Sequence, residues 1–438
     1  MWKTFQNAFK IKEIRKKILF TFFILVVVRL GAHIPIPGVN TAYFADWFAR
    51  QSGTAFNFFD AMTGGSFTQM SVFALSITPY ITSSIIIQLL TIAIPKLEEM
   101  QKEGEEGRKF IGKLTRYVTV ALALIESTAM TISFGRSGLL LHFTWYNAIV
   151  VIVTMTAGSA VLMWLGERVT EKGVGNGISI ILLINILSGL PGDFMSLYER
   201  FMAGTSVAKA ALSAVIILAV ILAMVAFVVY LQGGERRIPV QYAKKMQGRK
   251  FVGGQSSNIP LKVNTAGVIP VIFASSLMSI PSVISQFFNV DYSTFGGRIL
   301  LGLSSSNWCR PQDPILSLGL LVYILLIVAF AYFYTSITFN PIEIADNMKK
   351  QGGFIPGIRP GRPTSDYLNR ILNYIVFIGA VGLTIVAVIP ILFSGLFNIG
   401  SLSFGGTSII IIVGVILETL KQIESQMLVR YYKGFLND

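Results

Sequence analysis

Long apolar stretches recur along the whole chain, separated by short segments rich in charge, glycine or proline. Many of them run for about 17 to 25 residues, the length with which a helix crosses a hydrocarbon core about 30 Å thick. Only 13% of the 438 residues are charged, whereas about a quarter are charged in an ordinary soluble domain. The bilayer is therefore the solvent for most side chains. Helices are the expected spanning elements, because their backbone hydrogen bonds are satisfied internally.

The apolar blocks predict ten membrane-spanning helices. The first block follows a basic segment and in isolation resembles a signal peptide, but Arg29 interrupts its apolar run. This interruption favours a retained first span. The predicted spans are 18–34, 71–95, 117–134, 147–165, 177–190, 211–231, 265–288, 317–337, 371–393 and 407–425.

Lysine and arginine are distributed unevenly over the predicted loops. Loops on one side hold 29 of these residues and loops on the other side hold six, out of 36 in the chain. Loops rich in lysine and arginine face the cytoplasm, so both termini are expected there. The net charge of +14 therefore describes the cytoplasmic face, where anionic lipids are also expected to bind.

The ten spans divide into two sets of five, and because five is odd the second set is inverted relative to the first. In each set the second span carries an early proline, Pro79 or Pro270. Matched interruptions of this kind point to a central site between inverted halves, although prolines are also common in membrane helices. The expected organisation is an interfacial cytoplasmic N-terminal helix at 1–17, halves at 18–190 and 211–425, an external hinge loop at 191–210, cytoplasmic loops at 232–264 and 338–370, and a cytoplasmic C-terminal tail at 426–438.

The external connection 35–70 contains an apolar run that is too short to cross the membrane and ends at Gly64 and Gly65. Such a segment can re-enter the membrane only where protein or a water-filled cavity shelters its backbone. An amphipathic turn at the surface is the alternative. The predicted fold class is thus all-α, a polytopic membrane protein of ten transmembrane helices in two inverted five-helix halves with a re-entrant helix.

Sequence motifs for enzymatic chemistry are missing. The chain has one cysteine, Cys309, and two histidines, His33 and His142, which argues against a disulfide or a zinc site. It contains no phosphate-binding loop and neither of the common protease and esterase motifs. No enzymatic activity, cofactor or metal is therefore predicted, and energy for transport must come from a partner or a gradient.

Glu126 lies near the middle of the third predicted span, where a carboxylate costs about 2.5–3.5 kcal/mol unless it is protonated or faces polar groups. It is therefore a functional candidate. Arg29 is weaker evidence, since an arginine near the end of a span can reach the interface.

Seven separated stretches carry distinctive motifs, such as RLGAHIPIPG and WLGERVTEKGVGNGIS. In content and order these stretches resemble the SecY/Sec61-alpha family, the channel subunits of the Sec protein translocase. The resemblance implies a protein-conducting channel of two hinged five-helix halves in the bacterial cytoplasmic membrane. The stretches are Arg29–Gly38, Thr78–Leu90, Glu103–Tyr117, Trp164–Ser179, Leu261–Ser276, Phe339–Gly361 and Phe404–Val415.

The resemblance also implies a pore ring of bulky apolar side chains. A narrow ring of this kind offers water and ions no hydrogen bonds, so it dewets and seals. Leu182 departs from an all-isoleucine ring but keeps its apolar character. The implied ring residues are Ile77, Ile81, Leu182, Ile272 and Ile411.

Two further features follow from the resemblance, a plug and a lateral gate. The plug is a short helix at 56–65 that fills the external funnel of the idle channel. The gate passes signal sequences and membrane segments to lipid, and whether its carboxylate, Glu126, is neutral or paired with Thr82 stays open. The implied plug residues are Phe56, Phe58, Phe59, Met62, Gly64 and Gly65. The implied gate residues are Thr82, Glu126 and Val268. Thr82 and Glu126 match polar positions of the gate, whereas Val268, at the comparable place on the seventh span, is apolar.

The two long cytoplasmic loops resemble those that dock the SecA motor or the ribosome. Their cations can neutralise ribosomal RNA phosphates or an acidic motor surface. Lys250 replaces an arginine frequent in the family, so charge remains but bidentate geometry is lost. The implied docking residues are Arg236, Arg237, Lys244, Lys245, Arg249, Lys250 and Arg359.

The leading interpretation is a partner-driven channel for preproteins, with small subunits SecE and SecG. A secondary transporter with inverted repeats is the runner-up, but it would need converging polar residues at the midplane, and the spans offer few beyond Glu126. An intramembrane hydrolase is third, because no nucleophile and base pair is evident.

Overall fold

The computed structural model divides into two compact units. One comprises Met1–Ala203, Gly400–Phe404 and Val415–Asp438, and the other comprises Gly204–Ile399 and Gly405–Gly414. The structure describes residues 9–50, 60, 62–135, 140, 143–204, 206–242, 245–247, 250–252, 256–287, 294–303, 308, 317–397 and 406–434.

The first unit is helical. Its helix α6 packs against α1, α5 and α7, and α5 also packs against α3. Its helices are α1 (Lys12–Gly31), α2 (Thr41–Arg50), α3 (Thr78–Ala93), α4 (Pro95–Lys102), α5 (Glu105–Phe134), α6 (Trp145–Lys172) and α7 (Gly177–Phe201).

The second unit adds two small sheets to its helices. Helix α11 packs against α9 and α13. Its elements are α8 (Val207–Gly233), β1 (Glu235–Tyr242), β2 (Lys245–Gln247), β3 (Lys250–Val252), β4 (Ser256–Lys262), α9 (Ile269–Phe287), α10 (Phe295–Leu303), α11 (Leu318–Thr338), α12 (Pro341–Lys350), β5 (Gly353–Phe354) and α13 (Arg362–Phe397). The last helix, α14 (Gly406–Gly434), contributes to the second unit up to Gly414 and to the first from Val415.

Each of the ten predicted spans overlaps one long helix, namely α1, α3, α5, α6, α7, α8, α9, α11, α13 or α14. By length and composition alone, six helices in the described part can cross a membrane, or seven if α3 and α4 are taken together. These two helices meet at a bend of 107°. The bend occurs because Ile94, which precedes Pro95, is extended, as residues before proline prefer to be.

The surface of α8 illustrates why these helices need lipid. Only 6% of its most apolar window is buried. Large apolar side chains such as Leu212, Leu218 and Leu222 are each more than half exposed. Soluble proteins rarely expose an apolar area of this extent, so a multi-pass membrane protein is the consistent interpretation.

Several predicted boundaries are wrong. The second span was predicted to begin at residue 71, but residues 71–77 precede α3. Residues 191–201 were predicted to belong to the hinge loop, but they are helical, because α7 continues through Pro191. The predicted hinge loop therefore shrinks to the short connection before α8. Residues 12–17 are the first turns of α1, and α14 extends to Gly434 into the predicted tail.

Neither of the two sheets was predicted from the sequence. Strand β1 pairs antiparallel with β4 and with β5, giving the order β4-β1-β5, and β2 pairs with β3. Ile238 and Val240 of β1 are buried and alternate with exposed neighbours, as expected for a strand with one buried face. They pack in one apolar cluster with Met348, Ile355 and Leu368, so loops 232–264 and 338–370 share a core.

Candidate pore, plug and gate residues

The first candidate pore helix, α3, begins abruptly. Ser76 has a left-handed φ of 50°, Ile77 is the N-cap and Pro79 is the second helical residue. Proline is tolerated there, since the first backbone N–H groups of a helix have no intrahelical acceptor. Pro79 therefore starts the helix instead of breaking it.

Ile77 is the residue that caps α3, and Ile81 lies on the first turn of that helix. The N–H of Ile81 donates to the carbonyl of Ile77 at 3.1 Å, which places the two side chains on one face. Ile77 is 1% exposed and Ile81 is half-buried. Both pack against a core cluster that includes Leu162 of α6 and Ile181 of α7.

The second unit starts its candidate pore helix, α9, in a similar way. Gly267 has a left-handed φ of 64° and lies three residues before Pro270, as Ser76 lies three residues before Pro79. Pro270 is again the second helical residue. Aligning the two helix starts matches Ile272 to Ile81, two residues after each proline.

A second internal match links α7 and α14. Each helix begins with glycine, and the pattern glycine, any residue, serine, isoleucine, isoleucine follows in both. Leu182 and Ile411 are both the sixth residue of their helices. This repeat is visible in the sequence but was overlooked, because the motif is only five residues long.

The five candidate ring residues are all withdrawn from solvent. Ile77 is 1%, Leu182 7%, Ile272 9% and Ile411 4% exposed, while Ile81 is half-buried. Three belong to the first unit and two to the second. The ring itself remains a prediction.

The candidate plug is partly described. Phe56, Phe58 and Phe59 lie outside the described residues. Gly64 and Gly65 have left-handed φ values of 67° and 81°. The side chain of Met62 is 5% exposed.

Asp60 organises the chain that follows the plug. Its carboxylate accepts a hydrogen bond from the N–H of Thr68 at 3.0 Å, and its carbonyl accepts one from Thr63 Oγ1 at 3.0 Å. Burial raises the pKa of the Asp60 carboxyl, while the bonds from Thr68 and Thr63 act in the opposite direction.

The three candidate gate residues differ in their hydrogen bonding and burial. Thr82 Oγ1 donates to the carbonyl of Thr78 at 3.1 Å, along its own helix. The Oε2 atom of Glu126 is shielded from solvent and has no hydrogen-bond partner in the described part of the chain. Val268 is half-buried, and its carbonyl accepts from the N–H groups that open α9. An unpartnered carboxylate oxygen inside a span is costly, which keeps Glu126 a functional candidate.

The docking candidates that the structure describes lie on or next to the two sheets. Arg236 and Arg237 are exposed on β1, and Arg237 pairs with Glu235 at 2.6 Å. Lys245 and Lys250 belong to the paired strands β2 and β3, while Lys244 and Arg249 lie outside the described residues.

Arg359 is exposed in a turn between β5 and α13. Gly357 and Gly361, with φ values of 82° and 100°, flank it. Its carbonyl accepts a hydrogen bond from Thr364 Oγ1 at 2.8 Å, which ties the turn to α13. Because β5 pairs with β1, the Arg359 turn follows directly from the sheet that carries Arg236.

Groups of three or more potential metal ligands do not occur among the described residues.

Comparison with known proteins agrees with the sequence motifs. The family model described as SecY matches residues 71–420. The protein translocase subunit SecY of Streptomyces scabiei is 46% identical over 453 residues, with 100% of both chains covered.

Two solved structures share the fold. A SecY structure described by the role of its plug domain in stabilising the closed channel is 20% identical, covers 94% of this chain and 92% of its own, and gives a TM-score of 0.62. Sec61 in the canine ribosome-channel complex is 19% identical, covers 94% of this chain and 92% of its own, and gives a TM-score of 0.58. The expected helical membrane fold is thereby confirmed, and the family model together with the full-length relative establishes that this chain belongs to the SecY family.

Proposed function

We propose that this chain is the channel subunit of a protein translocase in a bacterial cytoplasmic membrane. It conducts unfolded polypeptides across the membrane and releases transmembrane segments laterally into lipid. The observation that carries the proposal is the matched pair of helix starts, α3 and α9, which bring Ile81 and Ile272 to the same position after an initiating proline. The full-length match to a translocase subunit supports it.

The channel works by exclusion and needs no chemistry of its own. Five aliphatic side chains form a constriction that water and ions do not wet. Such side chains can separate around a passing chain, because they make no directional bonds with it. The plug closes the external side of the same passage when no substrate is present.

A lateral gate gives apolar segments access to lipid. We assign Thr82, Glu126 and Val268 to its lining. The unpartnered Oε2 of Glu126 supports this role, since a polar group at a seam between helices can exchange partners when the seam opens.

A cytoplasmic partner drives the polypeptide through the channel. The three-stranded sheet joins the two long loops into one platform, on which Arg236 and Arg359 are exposed. An acidic surface of the SecA motor or the phosphates of ribosomal RNA fit this charge, and binding of either kind weakens with salt. The structural likeness to Sec61 in a ribosome complex supports the ribosome as one partner.

The remaining partners are SecE and SecG, preproteins with signal sequences, and anionic lipids. The extensively exposed α8 supports an apolar environment of lipid or small membrane subunits. Both termini face the cytoplasm in this arrangement, in accordance with the uneven distribution of lysine and arginine.

The proposal is tested by reconstituting the chain, with the subunits that copurify, into liposomes and adding SecA, ATP and a preprotein. We expect preprotein to become protected from external protease only when the chain is present. Arg359→Glu should abolish protection, whereas Arg298→Glu on the opposite face is the matched control. Gradient-coupled uptake of a small solute without any protein transport would identify a carrier and overturn the proposal.

A further inference from the structure

The segment 64–77, which connects the plug to α3, is held at both of its ends. Gly64 begins it and Ser76 lies next to its end, and both have left-handed φ values, 67° and 50°. Serine in this conformation is unfavourable, because its Cβ approaches the following carbonyl oxygen. The surrounding structure must therefore hold Ser76 in place.

Two side chains hold the carbonyl of Gly64. Arg29 of α1 donates through Nη1 at 3.2 Å, and Ser188 Oγ of α7 lies 3.2 Å from the same oxygen, its single proton shared with the Asn185 carbonyl at 2.7 Å. Gly64 also lies tight against α7, since an added Cβ would come within 2.7 Å of the Asn185 carbonyl oxygen. The hydrogen bond to the Gly64 carbonyl gives the Arg29 guanidinium a partner within its predicted membrane span.

Two other side chains hold Ser76. Asn185 of α7 donates from Nδ2 to Ser76 Oγ at 2.9 Å, and Ser159 of α6 donates to the Ser76 carbonyl at 3.2 Å. Asn185, Ser159 and Ser76 are 2%, 1% and 2% exposed. At such burial water cannot replace a lost partner, so each bond favours one fixed arrangement.

We name four side chains the polar clasp: Arg29, Ser159, Asn185 and Ser188. They come from three helices and contact Gly64 and Ser76, which are twelve residues apart. Asn185 and Ser188 are three residues apart, so one face of α7 holds both ends. Ile77, a candidate ring residue, directly follows Ser76. The plug end and the ring end of the segment are thus tied to the same helix.

We propose that the polar clasp is the latch of the resting channel, and that its release moves the plug and Ile77 together. The proposal rests on the proposed channel function. In the resting state the clasp bonds are intact. Opening requires segment 64–77 to leave α7, which breaks them, so the clasp sets the ratio of closed to open channels.

The test measures ion flux from liposomes that contain the full chain with its copurifying subunits and no substrate. Asn185→Leu removes the donor and Ser76→Ala removes its acceptor. Each should raise flux about tenfold, the factor that corresponds to the loss of one net hydrogen bond of about 1.4 kcal/mol. The double variant should leak no more than either single variant, because both remove the same bond.

Ser127→Ala is the matched control. Ser127 of α5 forms a similar interhelical hydroxyl pair with Thr156 of α6 at 3.0 Å, and this bond does not involve segment 64–77. We expect its flux to equal that of the unaltered chain, even if its thermal stability falls. Equal leak from Ser127→Ala and Asn185→Leu would mean general loosening and would overturn the latch. If Asn185→Leu fails to fold, Ser188→Ala takes its place; because the Ser188 proton is shared with the Asn185 carbonyl, we expect a smaller rise, but still a leak above that of Ser127→Ala.

The variant Ile81→Asn distinguishes failure of the latch proposal from failure of the proposed channel function. If Ile81→Asn leaks and the clasp variants stay tight, the latch is wrong while the pore stands. If no variant leaks and no preprotein is transported, the proposed function is wrong.

Discussion

Two adjacent glycines allow the packing of the plug end to be tested against a matched control. Gly64 and Gly65 both have left-handed φ values, so alanine at either position costs about 1–2 kcal/mol in backbone strain. Only at Gly64 is there no space for the added Cβ. An added Cβ there would lie 2.7 Å from the Asn185 carbonyl oxygen and 2.8 Å from its Cα, whereas nothing lies within 4 Å at Gly65.

The magnitude follows from this difference in space. Overpacking against backbone that cannot yield costs about 1–3 kcal/mol, and displacement of the plug end from α7 relieves it. Gly64→Ala should therefore favour the open channel over Gly65→Ala by about 5- to 150-fold. The assay is ion flux from liposomes without substrate, with thermal unfolding in detergent as the check on folding. Equal flux from the two variants would refute the close approach of Gly64 to α7 as a cause of closure.

The remaining predictions concern the docking turn, the buried carboxyl and the sheet. Arg359→Glu should abolish SecA-driven preprotein transport while the chain itself still inserts into the membrane, as measured by protease protection and membrane fractionation; normal transport would contradict the docking role. Burial raises the pKa of Asp60 in the folded chain, so its ionised form is disfavoured and stability falls as pH rises above the ordinary value through the raised one. Asp60→Asn keeps an acceptor for Thr68 and should raise the melting temperature at neutral pH but not at acidic pH, and an unchanged pH profile would contradict this. Ile238→Asp buries a charge in the sheet core and should weaken SecA binding with little effect on resting ion flux; unaltered binding would argue against the sheet as the docking platform.

The spans were predictable because apolar length is a strong signal, but their ends were not. Residues 71–77 are as apolar as a helix, yet the left-handed φ values at Met70 and Ser76 keep them irregular. Pro191 reads as a stop, although it is accommodated within α7. In both cases tertiary packing outweighs the local signal.

The residues of the candidate site were predictable only in part. The ring residues follow from motifs that resemble a known family, and the internal match between α7 and α14 provides a further signal. The polar clasp could not be predicted, since Arg29, Ser159 and Asn185 reach Gly64 and Ser76 by single hydrogen bonds that span 35, 83 and 109 residues of sequence. Strand β1 was hard to predict, because Pro239 stands between its two buried residues, Ile238 and Val240, and proline is unusual in a central strand.

The central claim is that a ring of aliphatic side chains seals a passage that an unfolded chain can open. The most direct measurement compares substrate-free ion flux for Ile81→Asn combined with Ile272→Asn against Ile216→Asn, whose side chain is 52% exposed on the membrane helix α8. The account predicts a large leak from the ring variant and none from the Ile216 variant. A sealed ring variant, or equal leak from both, would contradict it.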